Sequence, residues 1–248
     1  MRRQLLPQAQ RIDTGLVMIS GKVPLDAATR REAPAAVFKG PTLILGPRGG
    51  FMFAGAVEYP SYHRSDHDQD EYVMWGFSAR RDVLGVAGAP DELSGEDARA
   101  VVLTQIADWN TNLRRLVERA APASLTSFAV KSSIPINPWT TSQVTLLGDA
   151  LHNMTPYRGI GANTALRDAA LLRDVLRQVE EGPRDLLPAL SFYESEMINY
   201  GFAAVRASLT QMERVHAQSR FKRFIAKTVF RLIDLSPTLQ KRMVGLGG

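Results

Sequence analysis

The chain has 248 residues, 45% of them hydrophobic and 22% charged, so it can bury a sizeable core and is not a disordered segment. Its net charge of +5 comes from interspersed charges of both signs, which offers no concentrated surface for nucleic acid. The absence of cysteine excludes disulfides, thiolate metal sites and cysteine nucleophiles and fits a cytoplasmic setting; no apolar run reaches the roughly 20 residues of a membrane span, and MRRQLLPQAQR lacks the apolar stretch of a secretion signal.

The first predicted element is a buried strand over Gly15 to Gly21, GLVMISG. Two more strands, Leu43 to Leu45 and Phe51 to Glu58, flank the turn GPRGG and form a hairpin. The polar run YHRSDHDQDE follows, with His63, His67, Asp66, Asp68, Asp70 and Glu71; these residue types bind metals, but in a loop the four-residue spacing aligns nothing, and no metal site is expected. EYVMWGFSARR supplies another strand, so the first half reads as an antiparallel sheet. On it Tyr72, Trp75 and Phe77 either wall an aromatic substrate pocket or pack in the sheet core.

Val101, Val102, Ile106, Trp109, Leu113, Leu116 and Val117 recur at helical spacing, predicting one amphipathic helix. Prolines 122, 135 and 138 then force an extended stretch, and Val144 to Leu147 reads as a short apolar strand covered on both faces. A second helix carries Ala162, Ala165, Leu166, Ala169, Leu172, Leu176 and Val179 on one face and stops at Gly182-Pro183. The rest is mostly long helix. Arg214, Arg220, Lys222, Arg223, Lys227 and Arg231 interleave there with Phe221, Phe224, Ile225, Val229 and Phe230, a stripe that suits packing on the chain's own domain better than a membrane surface.

Between the last strand and the second helix lies GDALHNMTPYRGIGANTALRDA, Gly148 to Ala169. A strand ending in Gly-Asp and a helix opened by Gly-x-Gly place free backbone N–H groups and a partial positive charge at one point. The glycines let ligand atoms approach the main chain, and the Asp149 carboxylate, an acceptor only, suits a ligand hydroxyl.

This whole stretch resembles the second flavin-binding motif of the FAD-dependent aromatic-hydroxylase-type monooxygenases, the family of para-hydroxybenzoate and salicylate hydroxylases. The resemblance implies FAD as cofactor, NAD(P)H as co-substrate, O₂ as oxidant and hydroxylation of a small, aromatic substrate. It implies that Asp149 hydrogen-bonds the ribityl chain, that the Pro156 loop lies against the flavin ring, that Gly159, Gly161 and Asn163 face the ring's pyrimidine edge, and that Gly148 and Ala162 belong to the same cofactor-binding set. It names no catalytic acid or base, and His152 reads as local loop packing.

The same family usually begins with a strand and G-x-G-x-x-G, the turn that receives the FAD diphosphate, and neither this nor the Gly-Asp-Gly element precedes the motif here. MRRQLLP resembles the residues that directly follow the latter. The expectation is therefore the C-terminal part of a longer monooxygenase, with Met1 in the place of a valine, that alone binds FAD weakly or not at all and tends to aggregate or oligomerise. The expected fold is α+β: residues 1–11 as a remnant of the FAD domain, 12–139 as an antiparallel substrate domain, and 140–248 as the C-terminal part of the FAD domain. The alternative is a non-catalytic remnant or split-protein subunit that needs a partner to hold FAD.

Overall fold

The computed structural model describes residues 2–59, 71–182 and 184–217. Among these, β1 (Arg11–Pro24), β2 (Thr42–Leu45), β3 (Phe51–Val57), β4 (Tyr72–Arg80) and β5 (Thr126–Ser133) form one antiparallel sheet in the order β2-β3-β4-β1-β5. The helices are α1 (Arg2–Leu5), α2 (Ala27–Glu32), α3 (Arg81–Leu84), α4 (Gly95–Gln105), α5 (Thr111–Arg119), α6 (Asp149–His152), α7 (Gly161–Glu180) and α8 (Leu186–Val215). The fold is thus α+β with an antiparallel sheet, as the strand pattern predicts. The acidic loop with His63 and His67, and the basic tail beyond residue 217, lie outside the described residues.

The long strand β1 sits between β4 and β5. Its register against β5 shifts between Asp13 and Val17, where Gly15 takes φ 74° and its N–H is held by the Asp13 carboxylate at 2.9 Å. GPRGG closes the β2–β3 hairpin, with the Gly46 N–H donating to the Gly50 carbonyl at 2.7 Å. β5 is a strand that its sequence, TSFAVKSS, conceals behind flanking prolines.

The two faces of the sheet serve different cores. Val17, Ile19, Val23, Val73, Trp75 and Phe77 point toward α4 and α5, where they meet Val102, Ile106, Leu116 and Val117. Leu16, Met18 and Val130 point the other way, toward Met212 and Leu209 of α8 and toward Tyr157. A separate core joins Leu146, Leu151, Met154, Val175, Tyr193, Met197 and Phe202, and Leu6 from the start of the chain packs into it. Together the buried apolar surface accounts for most of the stabilisation, at about 25 cal/mol per Å².

Three expectations change in detail. The single helix over residues 95–119 is two helices, because Asn110 caps α5 by accepting the Asn112 N–H at 2.9 Å, and Trp109 turns inward onto Phe77. Val144 to Leu147 pairs with no strand among the described residues. Leu146 is buried there and its carbonyl accepts from the Tyr193 hydroxyl at 2.9 Å, while Val144 and Leu147 face outward. The apolar stripe of α7 divides: Leu172 and Val179 pack with α8, whereas Leu166 is 68% exposed and Leu176 is also outside. The buried line of α7 is instead Thr164, Asp168 and Val175.

The start of α4 lies so close to the Pro122 peptide that a Cβ on Gly95 would stand 2.1 Å from the Pro122 carbonyl oxygen. Backbone cannot move aside as a side chain can. Gly95→Ala is expected to destabilise the fold by about 1–3 kcal/mol in urea unfolding; an unchanged midpoint would show that this approach is not tight.

Candidate functional site

The site is built on a turn and the helix that follows it. Gly148 takes φ 60° and ψ −141°, which a residue with a Cβ adopts only with strain, and the ideal Cβ position is 3.1 Å from Ala165. The Gly148 N–H donates to Asp168 Oδ2 at 2.7 Å. The same oxygen accepts from His152 Nε2 at 2.7 Å, and the Tyr200 hydroxyl donates to Oδ1 at 2.6 Å. Asp168 and His152 are 0% and 1% exposed, so one buried carboxylate ties the turn, α6, α7 and α8 together.

Burial alone would push the Asp168 carboxyl up, but the hydrogen bonds from His152, Tyr200 and Gly148 outweigh it and hold the group below the usual carboxylate range. Burial and the Asp168 charge push the Tyr200 phenol up, which keeps it a donor. His152 is held from behind as well. It packs so closely on α8 that a Cβ at Gly201 would meet its Cδ2 at 2.6 Å, which makes glycine the fitting residue in that helix interior. Arg11, at the start of β1, donates to the main-chain carbonyl of Asp149.

With the turn fixed, Asp149 opens onto a cavity of about 370 Å³ lined also by Met154, Thr155, Pro156, Gly159, Gly161, Ala162 and Ala165. Its size falls within the range of small-molecule sites. The cavity meets the N-terminus of α7, where Ile160 provides no side-chain cap, whereas Asp26, Ser94 and Asn110 cap α2, α4 and α5. The first N–H groups of this 20-residue helix therefore carry no side-chain cap and leave a partial positive charge at the cavity. Gly159, at φ 64°, has open space where a Cβ would be, and Gly161 meets only Met154 Cγ at 3.8 Å. The acceptor carboxylate, the open glycines and the uncapped amides fit a flat ring with an electron-rich edge and a hydroxylated chain.

Of the residues expected to hold the cofactor, Asp149, Pro156, Gly159, Gly161 and Ala162 meet on this cavity, Gly148 forms the turn behind it, and Asn163 lies exposed in the first turn of α7. Met154, Thr155 and Ala165 line it too. Asp168, His152 and Tyr200 were not singled out from sequence as a unit, although a charged residue amid the apolar spacing of α7 is the signal that marks Asp168. Of the two readings of the aromatic trio, the packed core is the one that Trp75 and Phe77 follow. Trp75 and Phe77 are fully buried on the face that meets α4 and α5, away from the flavin loop, because they alternate with Met74, Gly76 and Ser78 along β4. Tyr72, half-buried at the far end of that strand, carries Lys22 Nζ 4.6 Å above its ring.

The sheet lies over the loop that joins the Gly-Asp turn to the uncapped helix, with Leu16, Met18 and Val130 packed toward Tyr157. The model of the family described as FAD binding domain matches residues 77–208, just over half of the chain, and the chain belongs to that family. It is 25% identical over 90% of its length to the dual O-methyltransferase/FAD-dependent monooxygenase elcB of Phaeosphaeria nodorum, covering 28% of that protein. It is 30% identical over 65% of its length to a 3-amino-4-hydroxybenzoate 2-monooxygenase of Streptomyces platensis, covering 36% of that protein. Among solved structures, a Photorhabdus luminescens protein described as an FAD-containing monooxygenase superposes with a TM-score of 0.78 at 32% identity, over 88% of this chain and 59% of that one. The chain thus spans about a third of the two relatives and 59% of the solved structure, in each case less than two thirds. Among the described residues no helix is long and apolar enough to cross a membrane.

Removing the Asp168 carboxylate leaves two buried donors and the half-buried Tyr200 hydroxyl without their acceptor. Asp168→Ala is expected to cost about 3–5 kcal/mol in urea unfolding. Because the folded carboxyl is held low, the stability it contributes is present above the unfolded value of about 4 and is lost as pH falls through the lower folded value. A variant with the wild-type acid transition would contradict this.

Proposed function

We propose that the chain is the ring-binding and substrate-covering part of an FAD-dependent monooxygenase, which uses NAD(P)H and O₂ to hydroxylate a small, aromatic substrate. The observation that carries this reading is the meeting of the Asp149 turn and the uncapped start of α7 on one cavity. Family membership and the likeness to Klebsiella pneumoniae HpxO, solved with FAD and uric acid at a TM-score of 0.73 and 21% identity, support it.

The flavin would supply the redox chemistry. Asp149 would accept hydrogen bonds from ribityl hydroxyls, and Gly148 would hold that carboxylate in place through Asp168. The amides of Gly161, Ala162 and Asn163 would face the pyrimidine edge, where the helix dipole stabilises negative charge by about 1 kcal/mol. Pro156 and Gly159 would let the ring lie against the main chain. The sheet would cover the ring and exclude water. In this reading residues 1–11 and 140–248 belong to the FAD domain and 12–139 to the substrate domain; the packing of Leu6 with Leu146 and Tyr193 supports the first part. Ile136 and Trp139 also pack there, which moves the natural boundary a few residues earlier.

A second reading is that the chain works as a subunit beside a partner that carries the diphosphate-binding half. The outward Val144, Leu147, Leu166 and Leu176 favour it, since they give the flavin half an apolar surface suited to a further protein layer. NAD(P)H oxidation by the chain alone, or only with such a partner, separates the two.

The ring site itself is tested with riboflavin, which lacks the diphosphate. Quenching of riboflavin fluorescence by the chain is expected to weaken ~10–100-fold in Asp149→Ala, the loss of charge-assisted hydrogen bonds. Equal binding by the variant would contradict the placement of the ribityl chain.

A further inference from the structure

The back of the flavin loop carries a second buried polar cluster that the cavity does not use. Tyr157 lies in the single turn Pro156–Arg158, between the cavity-lining Pro156 and Gly159, and its hydroxyl reaches Ser78 Oγ at 3.0 Å and His216 Nε2 at 2.9 Å. Ser78 Oγ and His216 Nε2 are 3.2 Å apart, so the three atoms close a triangle. His216 Nδ1 donates to the Gly49 carbonyl at 2.7 Å, which fixes the tautomer and leaves Nε2 as an acceptor. Two hydroxyl protons then serve three heavy atoms, and every member is satisfied. Phe51 closes the cluster, with its ring centroid 5.6 Å from that of Tyr157 and 6.1 Å from that of His216.

The triangle adds a polar tie to the apolar contacts that Leu16, Met18, Val130 and Phe51 already make with Tyr157 and the end of α8. Ser78 belongs to β4 of the sheet, Tyr157 to the loop, and His216 to the end of α8. The neighbouring Thr155 is bound separately to α8, its hydroxyl reaching Ser208 Oγ at 2.7 Å. Thr155 therefore anchors the loop within its own half, and Tyr157 anchors it to the sheet.

We propose that Tyr157 is a positioning residue which latches the flavin loop to the substrate-covering sheet, and that the latch is engaged while His216 is neutral. The role in setting the ring's position rests on the function proposed above; the latch itself does not. Burial lowers the affinity of the His216 ring for a proton, and the Gly49 carbonyl opposes this only in part. Among the described residues the one titratable group facing it from β3, β4, the Gly49 turn and the loop is Tyr157, whose phenol burial pushes up. Arg48, Glu213 and Arg214, its charged neighbours along the chain, are exposed. The unfolded chain therefore takes up this proton first, and the latch weakens as pH falls below about 6.5.

Hydrogen–deuterium exchange of the whole chain without ligand tests this. Tyr157→Phe keeps the ring and removes the hydroxyl; His216→Gln removes the titrating group. In both, the bonded amides of Gly159 and Thr164 are expected to exchange ~10-fold faster while β1 and β5 keep their protection, and the double variant is expected to be no worse than the singles. Wild-type loop protection, corrected for intrinsic exchange, falls between about pH 7.5 and about pH 5.5, and that of His216→Gln does not. Unchanged loop exchange in Tyr157→Phe, additive effects, or an equal loss across the sheet would overturn the latch. Failure of riboflavin to bind a wild-type chain whose loop responds in this way would instead overturn the function and leave the latch standing.

Discussion

A carboxylate shielded from solvent must find donors, and the three that Asp168 finds come from the Gly148 turn, α6 and α8. That requirement organises the part of the chain built from α6, α7 and α8. It draws the Gly148 N–H inward and so holds that glycine in its left-handed conformation, which in turn turns Asp149 outward to the cavity. It also sets α7 against α8 through Tyr200 and places His152 against the bare backbone of Gly201. The cavity-lining residues are thus positioned by a group that is itself fully buried.

The sheet supplies the other constraint. Because side chains alternate along a strand, the bulky residues that fasten β4 to α4 and α5 cannot also face the loop. Trp75 and Phe77 serve the first task, and the small residues between them serve the second. Gly76 leaves room for the Phe53 ring, which would lie 2.3 Å from a Cβ there, and Ser78 is small enough to meet Tyr157. One strand therefore provides both a packed core and a face able to cover a cofactor.

How much of this was legible beforehand depends on the range of the interaction. The glycine turn, the hairpin and the start of α7 are local, and their residue types announce them. Asn110 was an equally local signal, a strong helix cap, but the continuous apolar spacing from Val101 to Val117 outweighs it on paper. β5 was hidden because its partner is β1, more than a hundred residues away. The buried role of Asp168 depends on Tyr200 and His152 converging on it, and no spacing in sequence states that. The apolar run from Val144 to Leu147 reads as a strand, yet a strand needs a neighbour, and the described residues give it none.

The central claim is that the cavity between Asp149 and the start of α7 receives a flavin ring. A crystal structure of the chain with riboflavin would test it most directly. The account places the ring's pyrimidine edge within hydrogen-bonding distance of the Gly161–Asn163 amides and a ribityl hydroxyl on Asp149. A ring bound elsewhere, or one in this cavity with Asp149 turned away, would contradict it.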